Sequence, residues 1–349
     1  MHKHHSLNPL VSIIVTVYNS GRYLTKCLDS LINQSYENIE ILIIDDCSTD
    51  NSWKTITTYS DKRIRTYKNK ENQGYLRSAN TLLFKASGDL VTFQDSDDWS
   101  DLARIEKQVE AFTDDPDLYL CGTQCVYYRN GKANRQSSFP STYQDVRNEL
   151  NGCESSVFCG ASVMFKQELI EKHGGFRDFF DRIGSEHLDW FWQRIISYKF
   201  INIKGALYYY RAVDESYTRT PSLNPLQYLA PKIALLAYFQ RLQTGHDSLD
   251  QDATIEKLKE TLLTSYQKNP RRIYQAAVIT QCAFGNYNQA IRLVKMSYKS
   301  GSCIERFSTI YVILSGISSA LANELPRNLL RYYIKRNNRK FLQRHDIKV

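Results

Sequence analysis

The sequence predicts a doubly wound α/β fold, a mostly parallel sheet flanked by helices, followed by a C-terminal helical region. Three observations carry this expectation. Short β-branched, apolar runs alternate with stretches of helical periodicity through the first part of the chain, the pattern of successive βαβ units. Turn and cap residues stand where one pattern gives way to the next. Beyond Pro221 and Pro225, which bracket a short linker, helical periodicity dominates to the end.

The elements follow in order. Val11 to Tyr18 is apolar and β-rich, and Asn19-Ser20-Gly21 offers a turn and a cap before the helical spacing of Leu24, Leu28, Leu31 and Ile32. Ile39 to Ile44 is a second apolar strand, after which Asp45-Asp46-Cys47-Ser48-Thr49-Asp50 caps a helix start. Arg63 to Tyr67 gives a short third strand. A helix from about Tyr75 to Ala86 then leads through Ser87-Gly88-Asp89 into Leu90-Val91-Thr92-Phe93. After Phe112 strands and loops mix, with Leu118 to Tyr128, Ala161 to Phe165 and Leu207 to Arg211 extended and a helix from about Leu188 to Ser197 between them. Two domains are expected, residues 1–218 and 219–349.

Composition is that of an ordinary globular protein, with a formal net charge of +8 over 349 residues. The charge is unevenly placed: from Leu325 to Val349 eight Lys and Arg face one acidic residue, Asp346. Interleaved with Tyr332, Tyr333, Ile334, Phe341 and Leu342, they suit an anionic bilayer surface. Phe307 to Asn323 carries no charge but is too short and too rich in Ser for a span, and is read as a core helix or, backed by the basic tail, as an interfacial helix. Phe284 to Ile291 resembles a single tetratricopeptide turn without a second copy. The eight cysteines lack zinc-like pairing, which predicts reduced thiols, and the amino terminus lacks the apolar core of a signal peptide. The basic cluster has no nucleic-acid reader fold around it.

The chemistry concentrates in Phe93-Gln94-Asp95-Ser96-Asp97-Asp98-Trp99, where an apolar strand ends in three carboxylates within four residues. Like charges so close repel unless a cation lies between them, so the cluster predicts a divalent metal and, through it, a bound diphosphate. Metal and phosphate together imply a nucleotide. Open α/β sheets bind ligands at the carboxyl ends of their strands, where this cluster falls.

Together with Val11-Ser12-Ile13-Ile14-Val15-Thr16-Val17-Tyr18-Asn19 and Ile43-Ile44-Asp45-Asp46-Cys47-Ser48-Thr49-Asp50, the cluster resembles the family 2 glycosyltransferases, which have the GT-A fold. The likeness extends less tightly to about residue 218 and does not cover the helical remainder. It implies Thr16 and Tyr18 beside the nucleotide, Asp46 on the base, Asp95 near the ribose or sugar, and Asp97 with Asp95 on Mn2+ or Mg2+. Physically, a carboxylate accepts a hydrogen bond from a pyrimidine imide, and a hard cation takes oxygen ligands. Asp46, Ser48 and Asp50 also stand where a helix cap would. Arg77 lies three residues before Asn80, where the family has Arg next to Asn; a diphosphate contact and a surface salt bridge both remain open for it.

Gly184-Ser185-Glu186-His187-Leu188-Asp189 resembles the family's Glu-Asp motif at the head of a helix, but His187 stands where the family has its Asp base. Glu186 is favoured as the base, with Asp189 and His187 as alternatives. Trp190 and Trp192 either stack on sugars or fill a core. Val213 stands where family members often carry a His, which leaves Arg211 and Asp214 as candidates near metal or diphosphate. Phe158 to Ser162 and Gly174-Gly175-Phe176 match regions near the acceptor.

The resemblance implies an inverting, metal-dependent glycosyltransferase moving a hexosyl or N-acetylhexosaminyl group from a nucleotide-diphosphate sugar, expected to be a UDP-sugar, to an acceptor hydroxyl. The acceptor would be a surface glycan or a lipid-linked glycan, and the enzyme cytoplasmic, peripheral on the inner face of the membrane. The competing readings are a sugar-nucleotide nucleotidyltransferase and a degenerate, non-catalytic binding module.

Overall fold

A computed structural model describes residues 8–250, apart from 130, 153–156 and 213–223, together with scattered positions beyond 250. The chain divides into two compact units, one of residues 1–182 and 186–212, the other of residues 183–185 and 213–349. The boundary expected at residue 218 lies outside the described residues, as do Asp214, residues 284–289 and Phe307 to Asn323. Of the basic tail, only 335, 336, 338–340, 342 and 343 are described, as helix.

The first unit begins with four parallel strands. β1 (Val11–Val17) pairs with β2 (Ile39–Asp45) and β4 (Leu90–Phe93), and β2 pairs with β3 (Ile64–Lys68). The crossovers are α1 (Gly21–Ile32), α2 (Ser52–Ile56) and α3 (Tyr75–Leu83). β1 and β2 read as almost unbroken apolar runs because both faces are covered. On one face Val11, Ile13, Val15 and Val17 join Ile39, Ile41 and Ile43 and meet Leu24, Cys27, Leu28 and Leu31, the apolar stripe of α1. Each such side chain removed from water contributes about 1.5–3 kcal/mol before entropy is counted. α3 lies against β1 and β2.

Beyond β4 the sheet becomes mixed. β5 (Trp99–Ser100), α4 (Arg104–Asp114), β6 (Leu118–Arg129), β7 (Lys132–Gln136), α5 (Tyr143–Asn151), β8 (Met164–Lys166), α6 (Glu168–His173), α7 (Glu186–Ile195) and β9 (Lys199–Arg211) complete the unit. The described strands form one nine-stranded sheet in the order β3-β2-β1-β4-β8-β6-β9-β5, with β7 on β6. β8 is antiparallel to β4 and β6, β6 is parallel to β9, and β5 is antiparallel to β9. β9 is thus longer than the extended segment its sequence suggested at 207–211, because its amino-terminal half pairs with β6. The carboxylate run is not itself strand: β4 stops at Phe93, and Gln94 to Asp98 form the turn into β5.

In the second unit, α8 (Pro225–Thr244) opens at Pro225 itself, since proline suits the first helical position and Asn224 Oδ1 caps the Leu226 amide at 3.0 Å. It closes on Gly245 at φ 79°, and Arg241 pairs with Asp247 and Asp250 just beyond. Among the described residues no helix is long and apolar enough to cross a membrane.

Candidate active site

The carboxyl ends of β1, β2 and β4 meet in a hydrogen-bonded rim. Asn19 and Cys47 take left-handed backbone angles, φ 49° and 62°. Strain of this kind persists only where the surroundings fix it. Asn19 donates its amide to Ser48 Oγ at 3.0 Å and accepts the Thr49 amide on Oδ1 at 2.8 Å, tying the first two loops together. Asp50 accepts the Gly21 and Ser52 amides, each at 2.9 Å, and so organises the starts of two helices. Ser20 and Ser96 share a hydrogen bond of 2.8 Å that carries the link across to the carboxylate turn.

Asp46 is buried, and its carboxylate accepts from Asn69 Nδ2 at 2.7 Å, the Gln73 amide at 2.8 Å and the Gly74 amide at 2.8 Å. It therefore fastens the loop between β3 and α3 rather than capping α2. Gly74 sits at φ 88°, a conformation that glycine adopts without steric cost. Tyr18 is 50% exposed at the end of β1, with Thr16 half-buried one turn of the pleat earlier. Arg77 Nε donates to Asp181 at 3.1 Å from an exposed side chain, the salt-bridge arrangement.

Within the turn the three aspartates have different surroundings. Asp98 is buried, accepting Tyr208 Oη at 2.9 Å on one oxygen and the Arg211 amide at 2.6 Å on the other. Tyr208 Oη also receives the Asp95 amide at 3.2 Å, so one phenol pins the turn from β9. Asp95 and Asp97 are half-buried, and among the described residues neither has an ion-pair partner within 4.0 Å. Burial, then the charges of Asp97 and Glu186, push the Asp95 carboxyl up to about 7, against a lowering pull from Arg104. Burial also raises Asp97, with Arg211 pulling the other way. Burial and the neighbouring carboxylates raise Asp98 well above the usual range.

Arg104 lies wholly buried beneath this turn, with Nη2 donating to the Phe93 carbonyl at 3.1 Å and to Thr92 Oγ1 at 3.2 Å. No carboxylate pairs with it among the described residues, so its charge acts on the aspartates through the protein interior.

Two half-buried carboxylates without cationic partners suit a hard cation. Among the described residues no group of three or more Asp, Glu, His or Cys side chains forms a closed cage. Asp95 and Asp97 thus fit an open site completed by water and by phosphate oxygens, as magnesium-type sites commonly are.

The three candidate bases on α7 are sharply distinguished. Glu186 opens the helix, and burial lifts its carboxyl to about 7. His187 is enclosed by Phe93, Phe176, Phe191 and Tyr75, with ring centroids 4.9, 5.0, 5.8 and 5.6 Å away. Its Nε2 shares a 3.0 Å hydrogen bond with Tyr75 Oη, and burial lowers its pKa to about 3, so the ring is neutral. A Cβ added at Gly160 would come within 2.7 Å of His187 Nδ1, which shows how closely that backbone approaches the ring. Asp189 is 1% exposed and joined to Arg177, whose Nε donates at 2.9 Å, and to Gln193 Nε2 at 2.8 Å. Trp190 and Trp192 are buried, so both are core residues.

Sequence reasoning missed the parts of the site that come from distant elements. Tyr208 falls in the extended run Leu207 to Arg211 with no role of its own, Tyr75 marks only the start of a helix, and Arg104 and Asn69 belong to no motif. Strand alternation was the available signal for Tyr208, since in the β6–β9 register it stands opposite buried Cys125.

A parallel four-stranded half-sheet, mixed strands beyond it and an acidic turn at the switch between them make up a GT-A fold. Residues 12–174, just under half of the chain, match the model of "Glycosyl transferase family 2". It is 33% identical over 218 residues to the putative glycosyltransferase EpsH of Bacillus subtilis, an alignment covering 58% of this chain and 61% of that protein. It is 39% identical over 100 residues to the Escherichia coli UDP-Glc:alpha-D-GlcNAc-diphosphoundecaprenol beta-1,3-glucosyltransferase WfaP, covering 29% of this chain and 40% of that one. The chain thus spans about three fifths or less of the length of these relatives. Among solved structures, it is similar to S. aureus TarS 1–349 in complex with UDP-GlcNAc, with a TM-score of 0.57 at 20% identity, covering 83% of this chain and 92% of that one. The mannosyltransferase PcManGT of Pyrobaculum calidifontis, in complex with GDP-Man and Mn2+, gives a TM-score of 0.54 at 18% identity, covering 94% of this chain and 86% of that one.

Proposed function

We propose that the protein is an inverting, metal-dependent glycosyltransferase that moves a sugar from a UDP-sugar to a hydroxyl of a surface glycan or its lipid-linked precursor. The observation that carries this reading is the convergence of Asp95, Asp97 and Glu186: carboxylates without a cationic partner beside one lifted to about 7. That TarS was solved with UDP-GlcNAc, and that WfaP is named for UDP-glucose and a diphosphoundecaprenol acceptor, supports the donor and acceptor classes.

In this reading Asp97 and Asp95 would hold Mn2+ or Mg2+, which when bound neutralises charge developing on the leaving diphosphate. Glu186 takes the proton of the acceptor hydroxyl as that oxygen attacks the anomeric carbon, and a pKa near 7 suits that task at neutral pH. His187, held neutral by its aromatic enclosure, and Asp189, tied to Arg177, keep the head of α7 in place. Asp46 holds the Asn69 to Gly74 loop beside the nucleotide, and Tyr18 and Thr16 lie along the same rim. The basic tail supports peripheral contact with the inner face of the cytoplasmic membrane.

The test is a screen of UDP-glucose, UDP-N-acetylglucosamine, UDP-galactose and GDP-mannose for nucleotide diphosphate release, with Mn2+ or with EDTA, for the native protein and Asp97→Asn. Release from one donor that needs metal and falls at least about a hundredfold in the variant is expected. Pyrophosphate released from a nucleoside triphosphate and a sugar phosphate would favour the nucleotidyltransferase. No release from any donor would favour a binding module.

A further inference from the structure

The segment that leads into Glu186 is strained and is tied to the loop between β3 and α3. Arg182 at φ 57° and Ser185 at φ 74° take left-handed backbone angles, as does Gly184 at φ 79°. Outside glycine such angles persist only where neighbouring contacts hold them. Arg182 Nη2 donates to the Asn72 carbonyl at 2.8 Å and to Asn72 Oδ1 at 3.2 Å, and Asp181 Oδ2 accepts Arg77 Nε at 3.1 Å. A Cβ added at Gly74 would lie 3.2 Å from Asp181 Oδ1 and 3.7 Å from Arg182 Cζ, so the loop backbone sits directly against both side chains.

Asp46 holds the same loop from the inside. Its carboxylate accepts the Gln73 and Gly74 amides, and its carbonyl accepts Asn72 Nδ2 at 3.4 Å. Asn72 thus stands between Asp46 and Arg182 and bonds to both. Three residues separate Arg182 from Glu186, and the Asp181 charge is near enough to act on the Glu186 carboxyl. A continuous run of contacts therefore joins the rim at Asp46 to the start of α7.

We propose that Arg182, steadied by Asp181, is a positioning residue that couples the 69–74 loop to the placement of Glu186. When Asp46 holds the loop, Asn72 presents its two oxygens to Arg182, and Arg182 in turn holds the left-handed run that aims Glu186. A planar guanidinium suits this task because one fork engages both oxygens in a fixed geometry. Whatever orders one end then favours the other, and by linkage the effect runs in both directions. The role of Glu186 rests on the glycosyltransferase reading; the coupling of the two segments does not.

The coupling is tested by hydrogen exchange on the full chain, read at residues 69–77 and 181–195. The native protein is compared with Arg182→Gln, with Asp46→Ala and its milder form Asp46→Asn, and with the double variants. Arg182 is exposed, so removing its head leaves the core intact. Asp46→Ala is expected to speed exchange in both segments, and Arg182→Gln to speed it at 181–195 by about tenfold, the loss of one charge-assisted hydrogen bond. In the double variant 181–195 should exchange no faster than in Arg182→Gln alone, because contacts in one network are not additive. Native exchange at 181–195 in the Asp46 variants, or additive acceleration in the double variant, overturns the coupling. In turnover, Arg182→Gln should lower kcat about tenfold while the donor KM changes less than about threefold, and Arg182→Lys should restore most of the rate. Native kcat in Arg182→Gln, or a loss confined to KM, overturns the positioning role. Absence of sugar transfer by the native protein sinks the proposed reaction, and the exchange measurements still decide the coupling.

Discussion

Glu186, His187 and Asp189 lie within one turn of the same helix, yet their surroundings leave them different capacities for proton transfer. A base must lose its proton near the working pH and meet the acceptor, and of the three only Glu186 combines a pKa of about 7 with a carboxylate not tied into an ion pair. Glu186→Gln is therefore expected to lower kcat by about a hundredfold or more with little change in donor affinity, and to remove an acid limb near pH 7. His187→Gln should keep that limb, because an imidazole with a pKa near 3 does not titrate there. Loss of the limb in His187→Gln with its retention in Glu186→Gln would reverse the assignment. Asp189→Asn should act mainly on stability, by about 3 kcal/mol. That is the low end for a broken buried pair, because Arg177 keeps 22% of its side-chain surface. Chemical denaturation of the variant measures it.

Elements position these residues through contacts that act across the sheet. The turn Gly160–Ser162 presses its backbone on the His187 ring, so a methyl group there has to displace either the turn or the head of α7. Gly160→Ala is expected to cost about 1–3 kcal/mol of stability and to slow turnover more than it changes nucleotide affinity. A variant with native rate and melting temperature would show that the two elements yield independently. Asp46→Ala frees three donors of the 69–74 loop at once. It should weaken UDP binding more than it lowers kcat, as measured by calorimetry beside turnover.

These cases also show what the sequence revealed. The alternating strands and helices were legible because β1, β2 and α1 carry their own periodicity, and Glu186, Asp95 and Asp97 stand out as candidates because they sit in compact motifs. The job of Asp98 was not, since its partners Tyr208 and Arg211 lie more than a hundred residues away. The enclosure of His187 depends on Tyr75, Phe93 and Phe176 from three distant segments, which no local pattern records, beside Phe191 one turn along its own helix.

At the scale of the whole molecule, the acidic site sets the pH dependence of stability. A carboxyl whose pKa is higher in the folded chain holds its proton more tightly there, so its contribution favours folding at low pH. That contribution is lost as pH rises from the unfolded value near 4 to the folded one. Asp95 and Glu186, both raised to about 7, place this loss between about pH 4 and 7, with Asp97 and Asp98 adding in the same direction. Glu40 and Asp50 act differently: burial works against their ionisation, yet hydrogen bonds from Ser12, Ser87 and Ser52 hold both below the ordinary range. Their contribution is present above the unfolded pKa and fades only in more acidic solution, whereas His187, lowered to about 3, costs stability as pH falls below about 6.5 and offsets part of the effect, one group against two carboxyls raised to about 7. The metal-free protein is therefore expected to melt on the order of 5 °C lower at pH 8 than at pH 5. A divalent cation reverses the trend because it binds the ionised carboxylates, and Mn2+ at about 100 times its dissociation constant adds roughly 2.7 kcal/mol. Thermal melts at the two pH values, with EDTA or with Mn2+, should show the cation raising Tm strongly at pH 8 and little at pH 5. In Asp97→Asn the Mn2+ increment should largely vanish, whereas the pH trend set by Asp95 and Glu186 should persist. An equal Mn2+ effect at both pH values, or one undiminished in the variant, would locate metal binding away from the acidic turn.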